Sequence, residues 1–343
     1  MATNSTNSSF FMNTQAPGFG ACAAADELMH HELNATLTDP ALTETQFLGF
    51  NVPDAGIHSL NYLWAHPNLR LLTGGVWTWR GVKPNALSSE MFDMRQFMPD
   101  DPIRGSGDLN SFELPNGYHV EVGEPLRTIR IGYEDAARGN AFDVELTAIM
   151  PPAVLPSGRH FDQAMRTRGS VTLRGESYPV DGWTVRDRSW GENRTEEPRN
   201  APPLHWMTGV FDDDFAFHLM GIEHASAGPV WKDVYPVDDT LTEAMNRGWI
   251  WRDGELLALA SGAVRTRWDR ATGYPTGHEL TLVDTRGQRY VITGDIMAIN
   301  NWSAWSNAFF AIGLTRWQYG DRVGHGDSQT AAWTDFVRAL HAG

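Results

Sequence analysis

From Phe47 onward, short apolar runs are broken at close intervals by Gly, Pro, Asn and Asp. That punctuation predicts a multi-stranded antiparallel fold, mostly β. Residues 75–80, Gly-Val-Trp-Thr-Trp-Arg, set Trp77 and Trp79 on one strand face, and residues 142–149 alternate almost strictly. Asp253-Gly254 supplies positive-φ residues for a tight turn between Trp249-Ile250-Trp251 and Leu256-Leu257-Ala258. Similar turns are expected at Asp212-Asp213-Asp214 and at Arg286-Gly287.

A chain of 343 residues is long enough for two β domains. The Pro-rich stretch Glu-Glu-Pro-Arg-Asn-Ala-Pro-Pro at 196–203 cannot be a central strand and marks the boundary. The expected divisions are a flexible opening with a short helix over 1–45, a β domain over 46–197 and a second over 198–343. The opening helix is placed at 21–35, ending near Asn34. Near the end, Asp327 or Ser328 is read as the cap of a helix whose Trp333, Phe336, Val337 and Leu340 form an apolar stripe, covering a barrel end.

The net charge of −15 and a pI near 5.2 argue against nucleic acid and against anionic membrane surfaces. The single cysteine, Cys22, excludes an intramolecular disulfide and cysteine-based structural zinc, and fits a reducing compartment. Residues 1–19 lack the basic and apolar regions of a secretory signal, and no stretch approaches the roughly 20 apolar residues that cross a bilayer. A cytoplasmic protein without stable membrane insertion is expected, and a homodimer is one of its open oligomeric states. The 14 Trp, 16 Phe and 8 Tyr favour a pocket lined by rings for a hydrophobic small molecule.

The densest chemistry lies at 181–191, Asp-Gly-Trp-Thr-Val-Arg-Asp-Arg-Ser-Trp-Gly. A strand there puts Trp183, Val185, Asp187 and Ser189 on one face and Thr184, Arg186, Arg188 and Trp190 on the other. If the first face meets a cavity, desolvation favours the neutral Asp187 acid and makes it a proton donor. Alternatively Asp187 forms a buried structural ion pair with Arg186 or Arg188, which opposes that role. Both readings stand at this level.

The run Arg186-Asp187-Arg188-Ser189-Trp190-Gly191 resembles the Asp-His/Arg-x-Trp-Gly signature of the hydroxyneurosporene synthase family, also called carotenoid 1,2-hydratases, and of AttH-like lipocalin-related proteins. The segments 47–79 and 316–326 are similar to the domains flanking that signature. The resemblance implies two consecutive lipocalin-like antiparallel β-barrels with a ligand cavity near their junction, and chemistry without redox cofactor or metal. It implies water addition to an isoprenoid double bond or, as in fungal relatives, pericyclic ring formation. Arg188 stands where the hydratases usually carry His, which departs from a His-assisted mechanism.

The remaining candidates are single residues. His205, His218 and His224 lack metal-site spacing and are expected to cap strands or line the cavity. His325, between Gly324 and Gly326, allows close approach of a ligand or simply makes a turn. No dinucleotide fingerprint and no Gly-x-Ser-x-Gly elbow occurs. The expectation is a cofactor-independent hydratase, dehydratase or double-bond isomerase with Asp187 and His325 catalytic. Trp77, Trp79, Trp183, Arg188, Trp190, His205, His218, Arg316 and Tyr319 would bind substrate, with no metal. Rival expectations are a non-catalytic carrier or sensor and a pericyclase.

Overall fold

The computed structural model describes residues 18–105, 108–193, 203–222, 245–303 and 308–342. The chain forms two compact units, one of residues 1–55, 59–78 and 90–195, the other of 56–58, 79–89 and 196–343. Both are built from antiparallel strands, so the fold is mostly β as the punctuation of the sequence predicts.

The first unit opens with a 3-10 turn at Ala24–Glu27 and the one-turn helix α1 (His31–Asn34). Residues 57–58 and 79–80 at the strand ends are counted with the second unit; the sheet strands are β1 (Leu42–Val52), β2 (Ile57–His66), β3 (Leu71–Arg80), β4 (Met91–Pro99), β5 (Ser111–Glu113) and β6 (His119–Val122). They continue with β7 (Thr128–Asp135), β8 (Asn140–Ala148), β9 (Ala153–Val154), β10 (His160–Leu173) and β11 (Glu176–Asn193). The turn α2 (Asp101–Arg104) follows β4. Strand order is β4-β3-β2-β1-β11-β10-β8-β7-β6-β5 with β9 on β10, a half-barrel rather than a closed one.

The second unit is a closed barrel of β12 (Leu204–Asp212), β13 (Phe215–Ile222), β14 (Met245–Arg252), β15 (Glu255–Asp269), β16 (Tyr274–Asp284), β17 (Arg289–Trp302), β18 (Ala308–Tyr319) and β19 (Arg322–Trp333). Its lumen is occupied by its own side chains, as eight strands allow. Phe215, Phe217, Tyr290 and Trp317 are fully buried there. The helix α3 (Thr334–Ala342) lays Phe336 against Trp268 of β15, ring centroids 5.1 Å apart.

Asp253 and Gly254 take φ of 52° and 80° in the β14–β15 turn, the conformation that a tight hairpin needs. Other expectations need correction. The segment 21–35 is not one helix; it bends between Glu27 and His31, which turns the Leu28 carbonyl and the Glu27 carboxylate toward β11. Strands start at Leu42 rather than after 45. Asp327 and Ser328 cap nothing, because β19 pairs with β18 as far as Trp333 and the helix starts only at Thr334. Of the expected boundary stretch 196–203, only Pro203 is among the described residues, and His224 also lies outside them. Among the described residues no helix is long and apolar enough to cross a membrane.

Candidate functional site

The motif at 186–191 lies inside β11, between β1 and β10. Alternation along the strand divides it into two faces that meet different partners. On one face Arg186 donates to both carboxylate oxygens of Glu27, at 2.9 and 2.6 Å, and to Gln163. Arg188 donates to Glu44 at 2.6 Å and to the carbonyls of Leu28, Thr45 and Ser189. Trp190 stacks on His30 with centroids 4.2 Å apart and planes 10° from parallel.

This face is electrically matched. Burial by itself would raise the Glu44 carboxyl, but the Arg188 guanidinium and His30 outweigh it and hold the group at about 2. Glu27 is lowered in the same way, burial being overcome by Arg186. For His30, burial favours the neutral ring, yet hydrogen bonds to Asp26 and Glu44 raise its pKa. Burial and neighbouring carboxylates push the Cys22 thiol up. Gly191 ends the run with φ of +66°, which side chains rarely adopt, and a Cβ there would meet Leu33 at 3.1 Å. Arg186, Arg188, Trp190 and Gly191 therefore fasten residues 22–44 to the sheet. Neither guanidinium is turned to Asp187, which points the other way.

On the opposite face Asp187 is paired in register with Asp162 of β10 and Phe47 of β1. His160 shares this face and brings Nε2 to 3.1 Å from Asp162 Oδ1. Ligand atoms of His160, Asp162 and Asp187 all lie within 4.8 Å of one another. Asp162 is 1% exposed and Asp187 half-buried. Like charges directly opposite on neighbouring strands repel, so the cluster favours holding a proton or a cation. One imidazole and two carboxylates form a donor set for a divalent metal, and among the described residues no other such group occurs. Trp183, two residues back along the face from Val185, lies under the Arg166 guanidinium at 4.1 Å. Thr45 and Ser189 share a hydrogen bond of 2.6 Å.

The other predicted residues are dispersed. In the first unit Trp77 is buried edge-on to Phe92. In the second, Trp79 lies edge-on to His58, 5.0 Å between centroids. His205 sits in the lumen, 3.0 Å from Thr330 Oγ1, beside His278, whose burial together with His205 pushes its pKa well below the usual value. Tyr319 stacks on Phe215 in the same lumen. Arg316 is exposed, paired in register with His325, which is half-buried. His218 packs between Trp206 and Trp249. Clefts of about 200, 300 and 260 Å3 open on the first unit, none with residues 186–191 in its walls.

Sequence reasoning missed Asp162 and His160, although His-x-Asp at 160–162 announces a shared strand face; what it could not show was the register that sets them opposite Asp187. It also missed His58, which lies 3.0 Å from Asp327.

Solved structures share this architecture at low identity. Kievitone hydratase from Nectria haematococca aligns with a TM-score of 0.51 and 12% identity, over 94% of this chain and 97% of that one. CghA with Sch210972 gives 0.52 and 11%, over 85% and 88%. A putative AttH from Nitrosomonas europaea gives 0.56 and 14%, over 92% and 98%. At these identities the likeness is one of fold. It agrees with the AttH-like part of the resemblance noted above. No curated protein matches the sequence significantly. The family model described as Domain of unknown function (DUF7064) matches residues 23–335, and the chain belongs to that family.

Proposed function

We propose that this protein is a lyase or isomerase that moves a proton on a hydrophobic, unsaturated small molecule of isoprenoid or polycyclic type, working without a cofactor. The observation that carries the proposal is the Asp162–Asp187–His160 cluster, in which two facing carboxylates and an imidazole can hold one transferable proton. Asp187, the more exposed of the carboxylates, delivers the proton to one carbon of a double bond. Water then adds to the neighbouring cationic carbon, and the proton that water releases returns to the cluster. Run backwards, the same steps remove water; loss of a different carbon-bound proton moves the double bond. That one similar fold is named a hydratase supports this class of reaction.

The test is turnover. Purified protein is incubated with terpene alcohols, carotenoid precursors and steroid enones, and the products are read by mass spectrometry. A product differing by one water, or an isomer, that disappears with Asp187→Asn is the expected result. Full turnover in that variant removes Asp187 from the mechanism. A molecule retained unchanged by both proteins makes the chain a carrier.

A further inference from the structure

The second unit contains buried polar groups that this reaction does not use. His58 is 1% exposed and Asp327 0%. His58 Nε2 approaches Asp327 Oδ1 to 3.0 Å, but out of line for a hydrogen bond. Both imidazole nitrogens and both carboxylate oxygens therefore lack a hydrogen-bond partner among the described residues. Trp249 Nε1 is buried and unmatched in the same way. Folded chains rarely leave a buried imidazole and a buried carboxylate without hydrogen-bond partners.

Asp327 and Trp249 stand on one row across the outside of the barrel, and His58 of β2 meets that row at Asp327. Ser328 and Thr330 turn inward to His278 and His205, so the alternate residue Asp327 faces outward. Its backbone N–H donates to Thr208 Oγ1 at 3.1 Å. Thr208 is paired with His218, and His218 with Trp249, which carries the row across β12, β13 and β14. Indole rings bound it: Trp79 stands perpendicular to His58, and Trp206 lies 5.3 Å from His218.

We infer that this row is a binding site for a neutral, flat, unsaturated ring bearing a hydroxyl group, a phenol or an enol. The Asp327 carboxylate accepts and the His58 ring donates; a hydroxyl is the smallest group that donates and accepts through one atom. A carboxylate ligand would meet Asp327 as a like charge. An ammonium would satisfy Asp327 but leave the His58 N–H without an acceptor. The indoles supply the flat apolar surfaces on which an unsaturated ring lies. The inference goes beyond the proposed reaction and is independent of it, because binding is measured and no turnover is needed.

The test titrates full-length protein with 4-fluorophenol, followed by fluorine NMR, with benzylamine and benzoate as comparison probes and with Asp327→Asn and His58→Gln as variants. Saturable one-to-one binding of the phenol, roughly tenfold weaker in each variant, is expected. Absence of saturation, parental affinity in both variants, or tighter binding of benzylamine overturns the proposal. If one variant does not fold the other decides, and failure of both to fold makes the pair structural, which overturns it as well.

Discussion

Replacing Arg188 with Met removes a guanidinium that is 1% exposed and keeps most of the side-chain volume. What it leaves behind is the Glu44 carboxylate, equally buried, with one of its two basic neighbours gone. Breaking a buried pair from one side typically costs about 3–5 kcal/mol, because the remaining charge is desolvated without compensation. Three backbone carbonyls, of Leu28, Thr45 and Ser189, lose their donor too, so the upper half of that range is expected. Against a typical total of about 5–15 kcal/mol, this is a large loss. Urea unfolding followed by tryptophan fluorescence measures it, and Trp190 on His30 reports the region directly. Adding Glu44→Gln to Arg188→Met should recover part of the loss, since no buried charge then remains, and the cycle should show coupling of about 1–3 kcal/mol. A single variant within about 0.5 kcal/mol of the parent, altered only in ligand binding or turnover, would refute the anchoring role and restore Arg188 as a substrate contact.

Two further outcomes follow from the same geometry. Glu44 is held at about 2 against an ordinary 4.5; a lowered folded-state value means that its contribution is complete above pH 4.5 and fades as pH falls toward 2. A depression of that size corresponds to about 3 kcal/mol, so urea midpoints should drop between pH 4.5 and 2, and Glu44→Gln should flatten that limb; an unchanged limb counts against the pairing. For the Asp162–Asp187–His160 cluster, a proton-carrying role predicts that turnover survives dialysis against a chelator. Turnover that vanishes on chelation and returns with a divalent metal would instead make the cluster a metal centre.

The strand pattern was legible because pleating has a fixed period of two, and the hairpin at 253–254 was legible because Asp-Gly tolerates the positive φ found there. The division of 181–191 into two faces could be read for the same reason. Its partners could not: Arg186 meets Glu27 across 159 positions and Arg188 meets Glu44 across 144, distances over which no local pattern carries information. Asp327-Ser328 imitates a helix cap because a short polar pair precedes an apolar stripe, yet the ladder with β18 holds both residues in the strand. Nor does alternation distinguish the lumen of a closed barrel from its outer surface. Trp317 fills the one and Trp249 stands on the other with nothing in their flanking residues to tell them apart.

The motif that suggested a reaction is largely a device of folding. Arg188 and Trp190 hold the Leu28–Glu44 region, and Gly191 supplies a backbone conformation that a side chain would strain. Asp187 and Ser189 face away from that work, and the chemistry of Asp187 depends on Asp162 and His160, which come from a different strand. A chain can therefore keep the motif for its anchoring face while the residues opposite Asp187 vary, and proteins that match over these six positions can share the sheet without sharing the reaction. The composition of β10 at 160 and 162, rather than the motif, is then the feature that should track activity. Asp162→Asn is the discriminating change: it leaves every anchoring contact of β11 in place and should abolish proton transfer as fully as Asp187→Asn does.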